Sequence, residues 1–293
     1  MNNHIDTAST EAALLSLARD PDVRVLRRAS SLADFTLAPG AIEPIRRVAI
    51  VDTETTSLDP ANGEIIDLAV VMVDVNARGE IVALGRGSQA LRDPGCPIPP
   101  PISKLTGITD ADVAGKGIDV DRLVSFLDEA EVLIAHNARF DAAFLEAFAP
   151  GIKGRPWACS AKDFDWADHG FDGCKLGHLL MQIGRWNDGH RAMADVISLI
   201  HLLAHRLGDG RTIMSHVLEN AVRTTFRVEA PGAPFEKRGL LKARGYAWDP
   251  KGHVWWIEVV EAGVDDERRW LRQDIGTLAP PRVAPVTWYE RHR

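Results

Sequence analysis

The chain of 293 residues contains only three cysteines, Cys96, Cys159 and Cys174. So odd and sparse a set does not indicate a disulfide framework, and we expect reduced thiols. The longest apolar run, residues 68–73, is far shorter than the roughly 18 residues that a membrane-spanning helix needs. The N-terminus has no basic region before its short apolar patch and does not resemble a secretory signal peptide. These absences predict a cytoplasmic protein that does not cross a membrane.

The chain also lacks an excess of positive charge, since its formal net charge is −7. Proteins that bind nucleic acids usually carry basic patches, so this value argues against such a partner at first sight. The charge is unevenly distributed, however, because residues 223–293 hold 13 Lys/Arg and 10 Asp/Glu and the preceding part is strongly acidic. An acidic body with a mildly basic tail permits contact with nucleic acid if metal ions offset the acidic part.

Two further sites can be excluded or set aside. No Gly-x-x-x-x-Gly-Lys-Ser/Thr segment is present, so a nucleotide triphosphate loop is not predicted. His201 and His205 lie one helical turn apart without the glutamate of a zinc-protease helix, and we interpret them as surface positions of an amphipathic helix. A zinc site is a weak alternative, because the spacing of its four possible ligands fits no zinc-knuckle pattern: Cys159, His169, Cys174 and His178.

Changes in sequence pattern divide the chain into four parts. Residues 1–44 precede any clear strand pattern and are predicted to be an N-terminal extension. Residues 45–208 alternate strand and helix patterns and form the main predicted domain. Residues 209–222 are a linker or a terminal helix. Residues 223–293 are a small Trp-rich basic α+β module, because five of the eight tryptophans lie in the last 46 residues.

Hydrophobic periodicity predicts the elements of the main domain. Val48–Val51 is a buried strand that ends at Asp52, and 64–75, 81–91 and 131–135 are further strands rich in valine and isoleucine. The Pro-rich stretch 94–101 is predicted to be a loop. Helices are predicted at 11–19, 120–130, 138–148, 176–183 and 191–207, and residues 23–28 form a small strand or a second helix. This order predicts an α/β fold with helices on a mixed sheet.

Four carboxylates and one histidine occupy the ends of these predicted elements. Asp52 and Glu54 are two residues apart at a strand end, so both side chains face the same side. Asp141 lies one turn into a helix that follows another strand, and Asp195 lies on the last helix, five residues after His190. Ligand sites of α/β proteins form at such strand ends, and we expect the four carboxylates to converge there.

Four carboxylates in one place would repel each other unless cations neutralise them. A set of ligands made only of oxygen suits Mg²⁺ or Mn²⁺ rather than zinc. Two such divalent cations, about 3.5–4 Å apart, can activate a water and stabilise the leaving oxygen of a phosphodiester. The residues therefore predict a metal-dependent phosphodiester hydrolase.

The same segments resemble the three exonuclease motifs of the DEDDh 3′–5′ exonucleases, a family that includes the proofreading epsilon subunit of bacterial DNA polymerase III. The three matching segments are Asp52-Thr-Glu54, His136-Asn-Ala-Arg-Phe-Asp141 and His190-Arg-Ala-Met-Ala-Asp195. The segment 105–109, Leu-Thr-Gly-Ile-Thr, is similar to one that these proteins place between the first two motifs. The resemblance covers residues 47–207 and implies a ribonuclease-H-like α/β domain with a mixed sheet flanked by helices.

The resemblance also implies roles for individual residues. Asp52, Glu54, Asp141 and Asp195 would be the metal ligands, and His190 would be the general base, since imidazole exchanges protons readily near neutral pH. The residues that would bind the terminal nucleotide are Thr53, Thr55, Leu58, His136, Asn137 and Phe140. The partner would be a nucleic acid with a free 3′ end, DNA being favoured, from which mononucleotides are released. A polymerase or another replication or repair protein is a further possible partner.

Alternatives remain open at this point. The substrate could be RNA, because nothing in the sequence recognises a 2′-hydroxyl. The domain could instead be a catalytically silent module that binds nucleic acid or a polymerase. Asp-x-Glu is a weak signal alone, since Asp265-Asp-Glu267 also fits it and is predicted to be an exposed helix start. In residues 223–293, aromatic and basic side chains could clamp a single strand or simply form the core of a small domain.

Overall fold

The computed structural model of the protein describes residues 7–29, 31–33, 35–38 and 43–293. The chain forms two compact units, of which the first ends at Leu218 and the second comprises Glu219–Arg293. Within the described residues, no helix is both long and apolar enough to cross a membrane.

A five-stranded mixed sheet is the centre of the first unit. Its strand order is β4-β3-β2-β5-β6, with β2, β5 and β6 parallel to one another and β3 antiparallel to both of its neighbours. A separate two-stranded parallel ladder joins β1 to β7. The strands of this unit are β1 Arg27–Arg28, β2 Arg46–Thr55, β3 Ile65–Val75, β4 Ile81–Leu91, β5 Val132–Ala135, β6 Trp157–Cys159 and β7 Arg185–Trp186.

Helices cover both faces of this sheet, which confirms the predicted α/β fold with a mixed sheet flanked by helices. The helices up to residue 222 are α1 Thr7–Leu17, α2 Pro100–Thr106, α3 Asp110–Val113, α4 Val120–Leu127, α5 Ala138–Phe148, α6 Leu176–Gln182, α7 Ala192–Leu203 and α8 Ile213–Val222. The predicted helix 138–148 has the observed bounds of α5, and the strand predicted at 81–91 has those of β4.

The structure differs from the predicted elements at several ends. β2 continues past Asp52 to Thr55, because its last residues still pair with β3. α7 ends at Leu203 and not at residue 207, since Arg206 forms a bridge with Thr212 and the chain turns back. The last two prolines of the predicted loop 94–101 begin α2, where a missing N–H costs nothing.

Side-chain alternation along β2 separates the two faces of the sheet. Ala49 and Val51 belong to a buried core with residues of α4 and α5. Val48 and Ile50, also fully buried, point to the opposite face, and α7 packs on β2 and β3. The face of β2 toward α7 is therefore the one on which Asp52 and Glu54 emerge.

The second unit is a four-stranded antiparallel sheet with two short helices. The strand order is β11-β8-β10-β9, and the elements are β8 Thr225–Ala230, α9 Arg238–Ala243, β9 Ala247–Asp249, β10 Val254–Val259, α10 Val264–Trp270 and β11 Arg282–Val286. The turn sequence Asp249-Pro-Lys-Gly252 connects β9 to β10, which pair antiparallel as a hairpin. Strands β8 and β11 were not predicted from the sequence.

Candidate metal centre

Three carboxylates meet where β2 approaches α7. Asp52 and Glu54 emerge from one face of β2, and Asp195 lies in the first turn of α7. One oxygen atom from each of the three lies within 4.8 Å of the others. All three side chains are half-buried, so the group is enclosed but still reachable from solvent.

Asp141 approaches the same place from α5, on the other side of β2. Its Oδ1 accepts hydrogen bonds from the backbone N–H of Thr53, at 3.0 Å, and from Thr53 Oγ1, at 2.8 Å. Because Thr53 lies between Asp52 and Glu54, this contact joins α5 to the strand that carries both acids. Asp141 is almost fully buried, and it repels the charges of Asp52 and Glu54. The structure thus brings together all four carboxylates predicted from the sequence.

The cluster resists ionisation when no cation is present. Burial raises the pKa of Asp52 well above its ordinary value, and repulsion by Asp141, Asp195 and Glu54 raises it further. Burial raises the pKa of Glu54 to about 8, together with repulsion by Asp195 and by Asp67, a nearby carboxylate of β3.

The other two acids follow the same pattern with partial compensation. Burial raises the pKa of Asp141 to about 7, although the hydrogen bonds from Thr53 act in the opposite direction. Burial also raises the pKa of Asp195, against hydrogen bonds from Asn187 and from the backbone N–H of His190. Local hydrogen bonds are therefore too weak to offset the cost of placing these charges together.

Divalent cations fit this donor set. Every group aimed at the centre is a carboxylate, which matches the all-oxygen ligation that Mg²⁺ and Mn²⁺ prefer. A cation would also reverse the repulsion that raises the pKa values of Asp52 and Glu54. Asp52, Glu54 and Asp195 are thus the residues whose oxygen atoms lie close enough together to hold a metal ion, and Asp141 lies beside them.

We expect the metal-free protein to lose stability as pH rises from about 4.5 to 8. The pKa of Glu54 is near 4.5 in the unfolded chain and about 8 in the fold, so the fold favours the protonated form. Its contribution is fully present below pH 4.5 and is lost as pH rises through 8. Glu54→Gln should remove this loss and stabilise the metal-free protein at pH 8 by on the order of 1–3 kcal/mol.

Urea denaturation in chelator at several pH values measures this effect. Glu43→Gln is the matched control, since Glu43 is exposed in the same unit. If Glu54→Gln left the metal-free protein no more stable at pH 8 than Glu43→Gln, the proposed repulsion would be refuted. Adding Mn²⁺ should stabilise the wild-type protein more than Glu54→Gln.

Sequence reasoning missed Asp67, a fully buried carboxylate of β3 that pairs across the ladder with Glu54. Gln89 Nε2 donates to both of its oxygens, at 2.9 and 3.0 Å. Arg191 Nε, at 3.2 Å, and the backbone N–H of Ala192, at 3.4 Å, donate to Oδ2. Asp67 thus anchors the start of α7, which carries Asp195. The sequence signal for it was an aspartate inside an otherwise apolar strand.

Asp67→Asn should slow the reaction proposed below by about 10–100-fold, the usual cost of removing a group that orients metal ligands. The substitution keeps the shape of the side chain but removes the charge that attracts Arg191. It also replaces one accepting oxygen by an amide NH₂, which cannot accept from Gln89 or from the backbone N–H of Ala192. Asp74→Asn is the control, because Asp74 lies at the other end of β3 and pairs with Arg47. Comparable rates for the two variants, measured at saturating Mg²⁺, would contradict a positioning role for Asp67.

His190 lies on the loop before α7, next to the carboxylate cluster. Its side chain is exposed, and its backbone N–H donates to Asp195. Gly189 and His190 both have left-handed backbones, with φ of 63° and 57°. This conformation is uncommon for a residue with a Cβ and often marks a functional position.

The residues that follow Asp52 form one wall of the cluster. Thr53 and Thr55 are buried, and Thr55 Oγ1 donates to the carbonyl of Ser57. Leu58 is 83% exposed, although an apolar side chain of this size is usually covered. Thr53 already donates hydrogen bonds to Asp141, whereas the exposed side chain of Leu58 is available to pack against another molecule.

The start of α5 forms another wall. His136 Nε2 lies 2.7 Å from the carbonyl of Cys174 and must donate to it, so in the neutral ring Nδ1 accepts from Ser160 Oγ at 2.8 Å. Burial lowers the pKa of His136, which favours this neutral form. Both ring nitrogens are therefore engaged, and His136 holds the segment 160–174 in place. Asn137 is exposed with a left-handed backbone at the N-cap of α5.

Phe140 and two other predicted positions can also be placed. Phe140 is half-buried and packs on Phe144 with ring centroids 4.8 Å apart.

The interpretation of His201 as a surface residue was wrong, because it is buried, contacts the ring of Phe35 and lies 3.2 Å from the carbonyl of Ser31. His205 is half-buried beyond the end of α7. The segment around Phe35 covers this part of α7, which the sequence pattern did not reveal.

The four possible zinc ligands do not form a site. Within the described part of the chain, Asp52, Glu54 and Asp195 are the His/Cys/Asp/Glu group whose ligand atoms lie close enough to hold a metal ion. Cys159 is buried and Cys174 is exposed, each with a free thiol. Cys159 Sγ accepts from the backbone N–H of Ala138, which is a structural contact.

Comparison with known sequences places the cluster within a described family. A sequence model of the RNase T family, described as exonuclease, matches residues 49–203, which include all four carboxylates and His190. DNA polymerase III subunit epsilon of Aquifex aeolicus is 29% identical over 153 residues, which cover 50% of this chain and 73% of that protein. An epsilon-like protein of Rhodobacter capsulatus is 41% identical over 99 residues, or 33% of this chain.

The matches cover unequal parts of these proteins. The chain spans only 14% of the Rhodobacter capsulatus relative. Among solved structures, E. coli exonuclease I in complex with a dA16 oligonucleotide aligns with 83% of this chain and 63% of that one. Its sequence identity is 16% and its TM-score is 0.47.

Proposed function

The chain belongs to the RNase T exonuclease family, and on that basis we propose that it hydrolyses phosphodiester bonds from the 3′ end of a nucleic acid and releases mononucleotides. The observation that carries the proposal is the convergence of four carboxylates from β2, α5 and α7 beside one exposed histidine. A catalytically silent module would not need carboxylates so close together that the pKa of Glu54 rises to about 8 in the absence of cations.

In the proposed reaction, Asp52, Glu54, Asp141 and Asp195 hold two divalent cations, Mg²⁺ or Mn²⁺. When bound, the cations supply Lewis acidity, which makes water a better nucleophile and stabilises negative charge on the phosphate. The protein fixes the ligands: Thr53 orients Asp141, and Asp67 holds the start of α7 on which Asp195 lies.

His190 is the proposed general base, which accepts the proton of the attacking water. Its exposed ring beside Asp195 is accessible to a water at the edge of the cluster. The carboxylate of Asp195 stabilises the imidazolium that this transfer creates, because opposite charges attract in a partly buried site.

The terminal nucleotide would lie between β2 and α5. Leu58, 83% exposed, is positioned to pack against the terminal base, and Phe140 and Asn137 would face the nucleotide from the start of α5. Thr53 and Thr55 would shape the floor, and His136 would contribute by holding its neighbours in place. Such contacts recognise stacking and backbone, so they would not depend on base sequence.

DNA is the proposed substrate. The support is the name of the relatives, which are a subunit of DNA polymerase III and an epsilon-like protein. The same relatives support a polymerase or another replication or repair protein as a partner. A cytoplasmic location is proposed from the sequence. RNA is the alternative substrate, since the contacts described above do not select for a 2′-hydroxyl.

A single assay tests the activity, its direction and its substrate. Single- and double-stranded DNA and RNA, labelled at either end, are incubated with the protein in Mg²⁺, Mn²⁺ or chelator, and the products are resolved on a gel. We expect a 5′-labelled DNA to shorten stepwise from its 3′ end in either metal and to stay intact in chelator. Release of the 5′ label as a mononucleotide before shorter labelled intermediates form, or no hydrolysis in either metal, would refute the proposal.

The second unit is proposed to bind single-stranded nucleic acid through its exposed aromatic side chains. Trp255 and Trp270 pack against the core of this unit, whereas Trp248 is 47% exposed and Phe235 is 75% exposed. Arg238 lies over the ring of Phe235, with its guanidinium carbon 4.0 Å from the centroid. Exposed aromatic and basic groups of this kind stack on bases and attract the backbone.

Trp248→Ala in the full chain should weaken binding of single-stranded DNA by about 5–100-fold, because one stacked base contributes on the order of 1–3 kcal/mol. Fluorescence anisotropy in Ca²⁺ or chelator measures affinity without hydrolysis. Leu278→Ala is the matched control, since Leu278 is an exposed apolar residue of the same unit. Equal affinities of the two variants would indicate another role for this unit.

A further inference from the structure

The loop that carries His190 is tied at both of its ends. At its start, Asn187 Nδ2 donates to the carbonyl of Ala194, at 3.2 Å, and contacts Asp195 Oδ1. At its end, Arg191 bonds to the buried Asp67. Between these ties, Gly189 and His190 both have left-handed backbones. This conformation is unfavourable for a histidine, so neighbouring contacts must maintain it.

A third tie comes from a distant part of the chain. The backbone N–H of Arg27 donates to the carbonyl of Gly184, at 2.9 Å, and that of Ala29 donates to the carbonyl of Trp186, at 2.8 Å. These bonds form the parallel ladder between β1 and β7, and β7 leads directly into the loop. Ala29 is buried, which anchors the ladder against the domain.

The side chain of Arg28 extends this tie into the loop itself. Its guanidinium forms an ion pair with the carboxylate of Asp188, two residues before His190. The same guanidinium lies over the ring of Trp186, 5.3 Å from the centroid. Arg28 therefore contacts both the strand before the loop and the loop. It lies outside residues 49–203, the part of the chain that matches the exonuclease family.

We propose that residues 27–29 hold the loop 187–190 in the conformation that aims His190 at the carboxylate cluster, and that Arg28 is a positioning residue for the reaction. This inference rests on the proposed function, in which His190 accepts the proton of the attacking water. A general base must be within hydrogen-bond distance of that proton, and small displacements of a catalytic group reduce the rate strongly. The N-terminal extension thereby acquires a role in catalysis.

The first test is Arg28→Glu in the full-length protein, which replaces the ion pair by repulsion of Asp188. We expect kcat to fall about 3–10-fold with KM for the oligonucleotide little changed, because the loop and not the substrate site is disturbed. The melting temperature should stay the same, since both side chains are more than half exposed and such pairs contribute little to stability. Arg24→Glu, the same charge change at an exposed position of the same segment, should leave kcat unchanged.

Charge exchange separates positioning from a general structural effect. Asp188→Arg alone should lower kcat as Arg28→Glu does, and the double variant Arg28→Glu with Asp188→Arg should recover most of the lost rate. Absence of recovery, or a loss of rate that is matched by a loss of melting temperature, would overturn the proposal.

A double-mutant cycle with His190→Ala tests the route of the effect. If Arg28 acts through His190, then Arg28→Glu should cost no further rate in the His190→Ala background. An equal loss in both backgrounds would show that Arg28 acts elsewhere and would overturn the proposal.

Hydrogen exchange distinguishes failure of this inference from failure of the proposed function. If the wild-type protein hydrolyses none of the substrates, the proposed function fails, but the amide of His190, which donates to Asp195, still reports the loop. Arg28→Glu should speed exchange of that amide about 3–10-fold, and the double charge exchange should restore it. If Arg28→Glu left the exchange rate of the His190 amide unchanged, the proposed effect of Arg28 on the loop would be refuted even in an active enzyme.

Discussion

Asp52→Asn is expected to lower the rate of hydrolysis by about 10³–10⁵-fold while the fold persists. The variant keeps the size of the side chain but removes a charged ligand from the centre of the cluster, where Asp52 faces Asp141, Asp195 and Glu54. Divalent cations contribute several kcal/mol to a transition state of this kind, and each 1.4 kcal/mol is about tenfold in rate. Asp195→Asn should have an effect of the same order, because Asp195 belongs to the same group of three oxygen atoms.

Rates on 5′-labelled single-stranded DNA at saturating Mg²⁺ measure this effect, and Mn²⁺ titration by calorimetry measures the accompanying loss of metal affinity. Asp265→Asn is the matched control, since Asp265 begins the other Asp-x-Glu sequence and is exposed in α10. Turnover of Asp52→Asn within threefold of this control would contradict the assignment of Asp52 as a ligand. Circular dichroism should show the same helix content in all variants.

His190→Ala is expected to slow hydrolysis by about 10²–10⁴-fold, the usual contribution of a positioned general base. Metal affinity should change by less than about threefold, because the cluster comprises carboxylates and His190 contributes to it only through its backbone N–H to Asp195. The combination of a low rate with intact metal binding separates a base from a ligand, for which both quantities fall together.

His253→Ala provides the control for this experiment. His253 is another exposed histidine with a left-handed backbone, at φ 48°, in the turn between β9 and β10. Loss of the same amount of activity in both variants would indicate a general effect of removing such a residue. A His190→Ala variant as active as His253→Ala would exclude proton transfer by His190, and the water would then require another base.

Local patterns predicted the main elements of the first unit because its strands and helices carry strong periodicity. The sequence placed α5 at its observed bounds, and alternation along β2 put Asp52 and Glu54 on one face. Order along the chain then placed Asp141 and Asp195 on helices that follow the sheet strands. The cluster could be expected from the sequence for this reason.

Short elements with few apolar residues could not be predicted in the same way. β6, at 157–159, is stabilised by pairing with β5, and β8 is stabilised by pairing with β10 and β11. β1 has only two residues, so its conformation depends on the backbone of Gly184 and Trp186. Nothing within the three residues of β6 or the two of β1 distinguishes a strand from a loop, since the stabilising partner is far away in the sequence. In β8, by contrast, polar and apolar residues alternate, and this signal was missed.

The sequence by itself determined the chemistry of the protein: which carboxylates are present, on which elements they lie, and that hard divalent cations suit them. Only the tertiary structure decided which groups surround these carboxylates. It placed the buried Asp67 beside Glu54, engaged both nitrogens of His136, and brought Arg28 to Asp188 across 160 positions. Periodicity records how one segment faces the core, whereas these contacts join segments whose mutual approach depends on the packing of the whole domain.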